Sequence, residues 1–388
     1  MSVGEEGRPL HILHLHSSFD PGGKELRSVQ LINAFGTGAS HTIVSALPGA
    51  MAAAARIAPG IGWAQGLDFP PLQGRPTPAR LRALASAMRG HDLVLTYNFG
   101  AMDAVLAHTL FAQIDRLPPL VHHEDGFNQD EAEGLKPLRN WYRRIALGRA
   151  RALVVPSARL EAIALGPWRQ PRGKVVRIAN GIATGAFAGK PRPDALPRVI
   201  KRPGELWLGT IAGLRPVKNL PAMVRAFAAL PEPWQLVILG EGEAREAIRA
   251  EALRLDLGHR VHLPGFVAEP AKVAGLFDLF ALSSHSEQFP ISLVEAMAAG
   301  LPVAATDVGD VAGMVAPENR PFVVPAGDEA ALAAAFAALA GDAALRARLG
   351  AANRARARAE YDEAAMIAAY RLVYGQALGR AGAAPAFP

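Results

Sequence analysis

Two glutamates eight residues apart, Glu287 and Glu295, lie in the stretch SSHSEQFPISLVEAMAAGLPVAATDVG, residues 283–309. A strand is predicted to end near Leu282, and a helix is predicted to begin near Pro290–Ser292 because proline is favoured in the first helical turn. That turn exposes unpaired N–H groups and the positive end of the helix dipole, so it can bind a phosphate. The two carboxylates could then accept hydrogen bonds from hydroxyl groups on either side of a diphosphate.

A second turn carries cations. The segment IAGLRPVKNL, residues 211–220, is predicted to pass from a strand into a helix, and it contains Arg215 and Lys218. Cations near the start of a helix are unfavourable against the dipole. The pattern therefore favours a bound anion here over two ordinary surface charges.

Two further turns in the second half follow predicted strands. Gly240 lies in LGEG, residues 239–242, and Phe266 lies in PGFV, residues 264–267. Each is by itself an ordinary loop between a strand and a helix.

The first half has candidate residues at the ends of two predicted strands. Gly22 and Gly23 allow a close approach of backbone to a ligand, and Lys24 adds a cation. In the segment LVHHEDGFN, residues 120–128, His123 and Asp125 lie where an α/β sheet usually places its chemistry. A metal site is disfavoured because adjacent side chains on a strand diverge. Polar residues on an exposed loop remain an alternative for each of them.

The elements that must position these residues alternate along the chain. Short apolar strands and helices follow one another twice, which predicts an α/β protein with parallel sheets covered on both faces. The 388 residues suit two domains. We predict a first domain over 1–183, a proline-interrupted linker over 184–205 and a second domain over 206–360. Residues 361–388 are predicted to form a helix that packs back toward the first domain, followed by a frayed tail.

Composition excludes some chemistry and localises the charge. The chain has no cysteine, so disulfides, thiolate metal sites and Fe–S clusters are excluded. Residues 1–190 hold 21 Lys and Arg against 14 Asp and Glu, a net charge of +7, while the remainder has −1. Residues 136–177 alone hold 11 basic residues and one acidic residue, Glu161. Neither a secretory signal nor an apolar run of ~20 residues is apparent, which predicts a cytoplasmic protein with peripheral membrane contact at most.

The segment KPLRNWYRRIALGRAR, residues 136–151, mixes arginines with aromatic and aliphatic residues. Such a helix can lie on an anionic membrane surface, and we predict that the basic segment 136–177 could make this contact. It could equally be a solvated amphipathic helix that packs its apolar side on the domain. Nucleic acid is disfavoured as a partner because no nucleic-acid-binding motif accompanies it.

The Glu-x7-Glu pattern, joined to the run EAMAAGLPV, resembles the signature of the retaining GT-B glycosyltransferases of family 4 (group 1). The resemblance implies a GT-B fold, in which two Rossmann-like domains with parallel sheets face an interdomain cleft. It also implies metal-independent and cofactor-independent transfer of a sugar from a nucleotide-diphosphate sugar. The acceptor would be a saccharide or a lipid-linked saccharide, as in cell-surface polysaccharide or glycolipid synthesis.

The resemblance assigns roles on the donor side. Glu287 would face the donor sugar and Glu295 the nucleotide ribose. Phosphate would be bound by the amides of Ile291 and Ser292 and by the cations of Lys218 and Arg215. Gly240 would close a glycine turn, and Phe266 would edge the nucleobase. The chain departs from the family at Gly213, where an arginine is usual, and at Gln288–Pro290, where Gly-Phe-Gly is usual.

On the acceptor side, the resemblance places Gly22, Gly23 and Lys24 near the donor phosphate. It places either His123 or Asp125 near the transferred sugar, and the sequence does not decide between them. The alternative functions are a nucleotide-sugar epimerase or sugar-phosphate transferase on the same fold. A non-catalytic basic protein that binds membranes or nucleic acid is a third.

Overall fold

A computed structural model describes residues 8–127, 131, 134–379 and 387–388 of the chain. The chain divides into two compact units. The first comprises Met1–Ala179 and Met366–Pro388, and the second comprises Asn180–Ala365. The predicted linker, 184–205, therefore lies inside the second unit, and its first residues, Thr184–Phe187, form a 3₁₀ turn.

The first unit is built on a seven-stranded parallel sheet in the order β3-β2-β1-β4-β5-β6-β7. Its strands are β1 (Leu10–His16), β2 (Ala39–Ser45), β3 (Trp63–Gln65), β4 (Leu93–Tyr97), β5 (Leu120–His123), β6 (Ala152–Val155) and β7 (Val175–Arg177). Its helices are α1 (Gly23–Phe35), α2 (Pro78–Met88), α3 (Met102–Phe111), α4 (Pro137–Ala146) and α5 (Ala158–Leu165). Helix α5 begins where the hydroxyl of Ser157 accepts a hydrogen bond from the Leu160 amide at 3.1 Å.

The second unit is built on a six-stranded parallel sheet in the order β10-β9-β8-β11-β12-β13. Its strands are β8 (Leu206–Ile211), β9 (Trp234–Leu239), β10 (Val261–Gly265), β11 (Leu279–Leu282), β12 (Val303–Asp307) and β13 (Val323–Pro325). Its helices are α6 (Leu220–Phe227), α7 (Arg245–Arg254), α8 (Ile291–Ala298), α9 (Val311–Met314), α10 (Glu329–Gly341) and α11 (Ala343–Glu360). The α/β class with parallel sheets is thereby confirmed. In both sheets the central strands are buried on both faces, which is why they read as continuous apolar runs.

The last helix, α12 (Glu363–Ala377), begins in the second unit and belongs mainly to the first. Its side chains Met366, Tyr370 and Tyr374 are buried in one apolar cluster with residues of β1 and β4. Phe387 joins that cluster and packs edge to face against Phe35. The expectation of a frayed tail is therefore wrong for Phe387, while residues 380–386 lie outside the described residues.

Three strands, β2, β3 and β13, have no counterpart among the predicted elements. Strand β2 mixes Ser, His and Thr with its apolar residues, so its sequence lacks a continuous apolar run. Strand β3 has three exposed residues, and β13 is equally short and ends in proline. Each of the three pairs with a neighbouring strand of its sheet, so tertiary context rather than local pattern determines them.

Among the described residues, no single helix is both long and apolar enough to cross a bilayer. Helices α10 and α11 meet the length and composition requirements only when taken together, and they are bent by 104° where they meet.

Candidate active site

A pocket opens in the second unit where β8 and β11 end. Because the strands are parallel, their carboxyl ends lie at one edge of the sheet, and the loops that follow face each other there. About 220 Å³ of space between the atoms belongs to this pocket, and part of that space is open to solvent. The residues that line it are Thr210, Ile211, Ala212, Lys218, Leu220, Leu282, Ser283, Ser284, Glu287 and Ser292.

The structure brings three of the predicted donor-side residues, Lys218, Glu287 and Ser292, together in this pocket. The other predicted residues of the second unit lie outside the lining of this pocket, as far as the described residues define it: Arg215, Gly240, Phe266, Ile291 and Glu295.

An ion pair joins the two loops. The ammonium group of Lys218 donates to Oε1 of Glu287 at 2.5 Å, and both side chains are less than a fifth exposed. The hydroxyl of Ser284 donates to the same carboxylate oxygen at 2.7 Å. Charge-assisted hydrogen bonds of this kind are short and directional. Glu287 is therefore held in one orientation, and no sequence pattern indicated the contribution of Ser284.

Backbone contacts hold the loop of Lys218 against the loop of Glu287. The hydroxyl of Ser283 donates to the carbonyl oxygens of Lys218 and Asn219 at 2.9 and 3.0 Å. The amide of His285 donates to the carbonyl oxygen of Val217 at 2.8 Å. These contacts fix the backbone that carries the ion pair, so the side chains begin from a defined position.

Two glycines allow this close packing. Gly309 has a φ of +60°, and a Cβ atom there would overlap the carbonyl oxygen of Glu287. Gly240 has a φ of +141°, and a Cβ atom there would overlap the carbonyl oxygen of Ala212. Both positions require glycine, for its left-handed conformation and for space. The structural role of Gly240 is thus to admit the β8 loop, and Gly309 was not among the predicted site residues.

Helix α8 points its first turn at the pocket. Pro290 precedes it and Ser292 lines the pocket. The amides of the first turn have no partner within a helix, so Ile291 and Ser292 offer N–H donors beside Lys218. Cation and helix terminus together make the pocket suited to an anion.

Arg215 lies close to the position where the family arginine is missing. A Cβ atom added to Gly213 would lie 3.8 Å from Nε of Arg215, and that is its nearest neighbour among the described atoms. The guanidinium of Arg215 therefore passes over the space that a side chain at position 213 would occupy. The cation of Arg215 thus lies near position 213 although its own backbone is two residues further along the chain.

Glu295 is a partly buried acid on α8. Burial raises the pKa of its carboxyl group from the usual 4.5 to about 7. A strongly shifted carboxyl group beside a pocket is typical of a functional residue. Its charge is unfavourable in the empty protein, and hydroxyl donors from a ligand would relieve that cost.

The di-glycine loop of the first unit leads into α1. Gly22 is the N-cap, and a Cβ atom there would lie only 2.7 Å from Oε2 of Glu25. Lys24 forms an ion pair with Glu25, so the cation predicted for a phosphate already has a partner. Burial lowers the pKa of Lys24 to about 8. Gly23 is the first residue of α1.

His123 belongs to the core, which corrects the prediction that it could face a sugar. It is 1% exposed, and its ring nitrogens contact the carbonyl oxygen of Thr96 at 3.1 Å and the hydroxyl of Tyr374 at 2.8 Å. Burial lowers its pKa to about 3, so the ring is neutral at pH 7. Tyr374 comes from α12, 251 residues away, and no local pattern could have shown that contact.

Asp125 forms a bidentate ion pair with Arg27, one bond of which measures 2.8 Å between Nη2 and Oδ2. Burial opposes ionisation of Asp125, but the Arg27 charge outweighs it and keeps the pKa of the carboxyl group below its usual value. The Asp125 amide also donates to Oδ1 of Asn98 at 2.7 Å. Of the two candidates, Asp125 alone has an accessible edge, and its partner Arg27 was missed because it lies in mid-helix.

If Arg215 takes the place of the arginine that the family usually has at position 213, an arginine moved back to position 213 should bind the anion in its stead. We expect Arg215→Ala to weaken the binding of pyrophosphate by about tenfold or more, since a hydrogen bond to a charged group contributes about 1.5–3 kcal/mol. The double variant Gly213→Arg/Arg215→Ala should regain most of that loss, because position 213 has room for a side chain. Isothermal titration with pyrophosphate measures both, with Arg249→Ala as the control. Unchanged binding by Arg215→Ala would contradict the assignment.

The raised pKa of Glu295 predicts how its replacement changes stability with pH. Between pH 4.5 and 7 the folded protein keeps a proton that the unfolded chain has lost, so this group makes stability fall as pH rises through that window. At pH 8 we expect Glu295→Gln to be more stable than the parent by up to about 3 kcal/mol, and at pH 4 to be nearly equal. Urea unfolding at both pH values measures this, with the exposed Glu318→Gln as control. An equal effect at both pH values would refute it.

Comparison with known proteins gives a family for part of the chain. Residues 194–356 match the family described as glycosyl transferases group 1. The chain is 32% identical over 243 residues to a phosphatidyl-myo-inositol mannosyltransferase of Mycobacterium leprae, covering 61% of each chain. It is 37% identical over 174 residues to a D-inositol 3-phosphate glycosyltransferase of Xylanimonas cellulosilytica, covering 42% of this chain and 40% of that protein. The chain thus spans about half the length of these curated relatives.

Solved structures share the fold over nearly the whole chain. Anabaena Alr3699/HepE in complex with UDP has a TM-score of 0.76 at 20% identity, covering 93% of this chain and 98% of that one. WaaG, a glycosyltransferase involved in lipopolysaccharide biosynthesis, has a TM-score of 0.66 at 17% identity, covering 96% and 100%. The match over residues 194–356 and these likenesses show that the chain is similar to glycosyl transferases group 1 and has the GT-B fold.

Proposed function

We propose that this protein is a retaining glycosyltransferase that moves a sugar from a nucleotide-diphosphate sugar to a saccharide or lipid-linked acceptor. The observation that carries the proposal is the pocket in which Lys218, Glu287 and the first turn of α8 meet. The pocket combines an ammonium group and N–H donors that can bind a diphosphate with a carboxylate that can contact the sugar joined to it. We place its biological role in cell-surface polysaccharide or glycolipid synthesis.

The diphosphate would occupy the end of the pocket nearest α8. The amides of Ile291 and Ser292 would donate to its oxygens, and Lys218 and Arg215 would neutralise its charge. Negative charge grows on the diphosphate as the bond to the sugar breaks, so these groups bind the transition state more strongly than the donor. Lys218 would exchange its contact with Glu287 for one with phosphate.

Glu287 would then face the sugar. As the bond between the anomeric carbon and the diphosphate oxygen breaks, positive charge develops on the sugar ring, and a nearby carboxylate stabilises it. The acceptor hydroxyl attacks the anomeric carbon from the face that the diphosphate leaves, and its proton passes to a phosphate oxygen. One bond is broken and one formed on the same face, so the configuration is retained.

The remaining assignments follow from position. Glu295 would accept hydrogen bonds from the ribose hydroxyls, which explains why a carboxyl group with a pKa of about 7 is kept on α8. Phe266, 71% exposed just after β10, would offer a ring face to the nucleobase. In the first unit, Gly22, Gly23, Lys24 and Asp125 would serve the acceptor side. The cations are the protein's own, so we propose that neither a metal nor a cofactor takes part.

The names of relatives support the donor and acceptor classes. Similar structures were solved with UDP and with UDP-glucose. One similar protein, from Campylobacter jejuni, is named for a transfer to a diphospho-undecaprenol saccharide, and it is 37% identical over 90 residues. An acceptor carried by a lipid would place this protein at the cytoplasmic face of a membrane, as a peripheral protein.

Replacing the two paired residues should abolish transfer without unfolding the protein. We expect Lys218→Ala and Glu287→Gln each to lower the turnover number by about 100-fold or more, which is the usual effect of removing one group that stabilises transition-state charge. Transfer from UDP-, GDP- and ADP-sugars to lipid-linked acceptors is measured by product analysis, and NMR gives the anomeric configuration.

Matched controls come from exposed residues of the same unit. Lys272→Ala and Glu246→Gln change the same residue types on its surface and should transfer at the parental rate. Chelation of metal ions should likewise leave the rate unchanged. Full activity in either pocket variant would refute the site, and an inverted product would refute the proposed mechanism.

A further inference from the structure

We propose that helix α4 attaches the first unit to an anionic lipid bilayer through three side chains, Leu138, Trp141 and Ile145. They are 84%, 61% and 40% exposed. Their spacing of three and four residues places them on one face of the helix. Large apolar residues exposed singly are common in soluble proteins, but three in one row on a single helix form a contiguous surface. This inference rests on the proposed function in one respect only: membrane attachment would give the protein access to a lipid-linked acceptor.

The opposite face of α4 is firmly held by the unit. Arg143 is fully buried, and its guanidinium contacts Glu131 at 3.0 Å and Glu124 at 3.3 Å. The hydroxyl of Tyr142 donates to Asp103 at 2.5 Å, and Asn140 accepts a hydrogen bond from the indole of Trp168 at 2.9 Å. Because these contacts fix the rotation of the helix, the apolar row cannot turn inward. It is presented to solvent by the fold itself.

Buried ion pairs also divide the arginines of this segment into two classes. Arg143 and Arg139 both pair with Glu131, so they neutralise acidic residues of their own unit. The expectation that the whole basic segment faces a membrane is therefore too broad. Arg144 on α4, and Arg149 and Arg151 just after the helix, remain exposed.

The charge around the row selects the partner. Residues 134–160 contain no aspartate or glutamate, so the charged side chains of α4 and of the residues that directly follow it are all positive. An apolar face flanked by arginines, with an exposed tryptophan among its residues, is typical of a helix that lies in the interface of an anionic membrane. A protein surface would require acidic groups in matching positions, whereas a bilayer containing anionic lipid supplies them everywhere. We therefore assign a lipid surface to this face.

Vesicle binding of the full chain, without donor or acceptor, tests the inference. The parent protein should co-sediment with vesicles of phosphatidylcholine and phosphatidylglycerol, and much less with phosphatidylcholine alone. The triple variant Leu138→Ser/Trp141→Ser/Ile145→Ser should lose about tenfold or more of its affinity for the mixed vesicles. Arg144→Glu should also weaken binding, and high salt should weaken binding of the parent.

The controls change equally exposed residues elsewhere. Leu253→Ser and Arg249→Glu, both on α7, should bind the vesicles as the parent does. Circular dichroism should show the same fold in every variant. The inference is overturned if the parent does not bind mixed vesicles, if the triple variant binds them equally well, or if the triple substitution instead abolishes self-association seen by sedimentation. Vesicle binding without sugar transfer would leave this inference standing and count against the proposed function alone.

Discussion

The proposed site depends on how closely two loop backbones approach each other at the carboxyl ends of β8 and β11. Lys218 and Glu287 are 69 residues apart in sequence, and their 2.5 Å contact exists only because Ser283 and His285 bind the backbone of the Lys218 loop. The glycine at position 309 permits the Glu287 loop to occupy its place. Removing either member of a partly buried ion pair would leave the other charge uncompensated. The same geometry thus stabilises the empty pocket and prepares it for a negatively charged ligand.

The sequence predicted those parts of the structure that depend on local pattern. Continuous apolar runs located the buried strands, and the Glu-x7-Glu spacing located the loop and helix of the pocket. It could not predict Ser284, Gly309 or Arg27, because their roles arise from contacts with residues distant in the chain. For the same reason His123, at the end of a strand like a catalytic residue, proved to be a core side chain once α12 covered it.

The roles of the charged residues also depend on contacts that the composition does not show. The sequence shows a basic first half, but it does not distinguish cations that bind ligands from cations that balance buried acids. In the structure, Arg27 pairs with Asp125, and Arg143 pairs with Glu124 and Glu131. Lys24 pairs with Glu25. Cations remain exposed on and just after α4, as at Arg144, and also elsewhere in the first unit, as at Arg75 and Arg169. In the second unit, by contrast, Lys218 is a cation that lines the pocket.

The central claim is that the pocket of Lys218 and Glu287 binds the diphosphate of a nucleotide sugar. Isothermal titration of the full chain with UDP, GDP and ADP tests it most directly. We expect that at least one of the three binds the parent protein, that Lys218→Ala weakens this binding by about tenfold or more, and that Lys272→Ala does not. It would be contradicted if none of the three bound at millimolar concentration, or if Lys218→Ala bound as tightly as the parent.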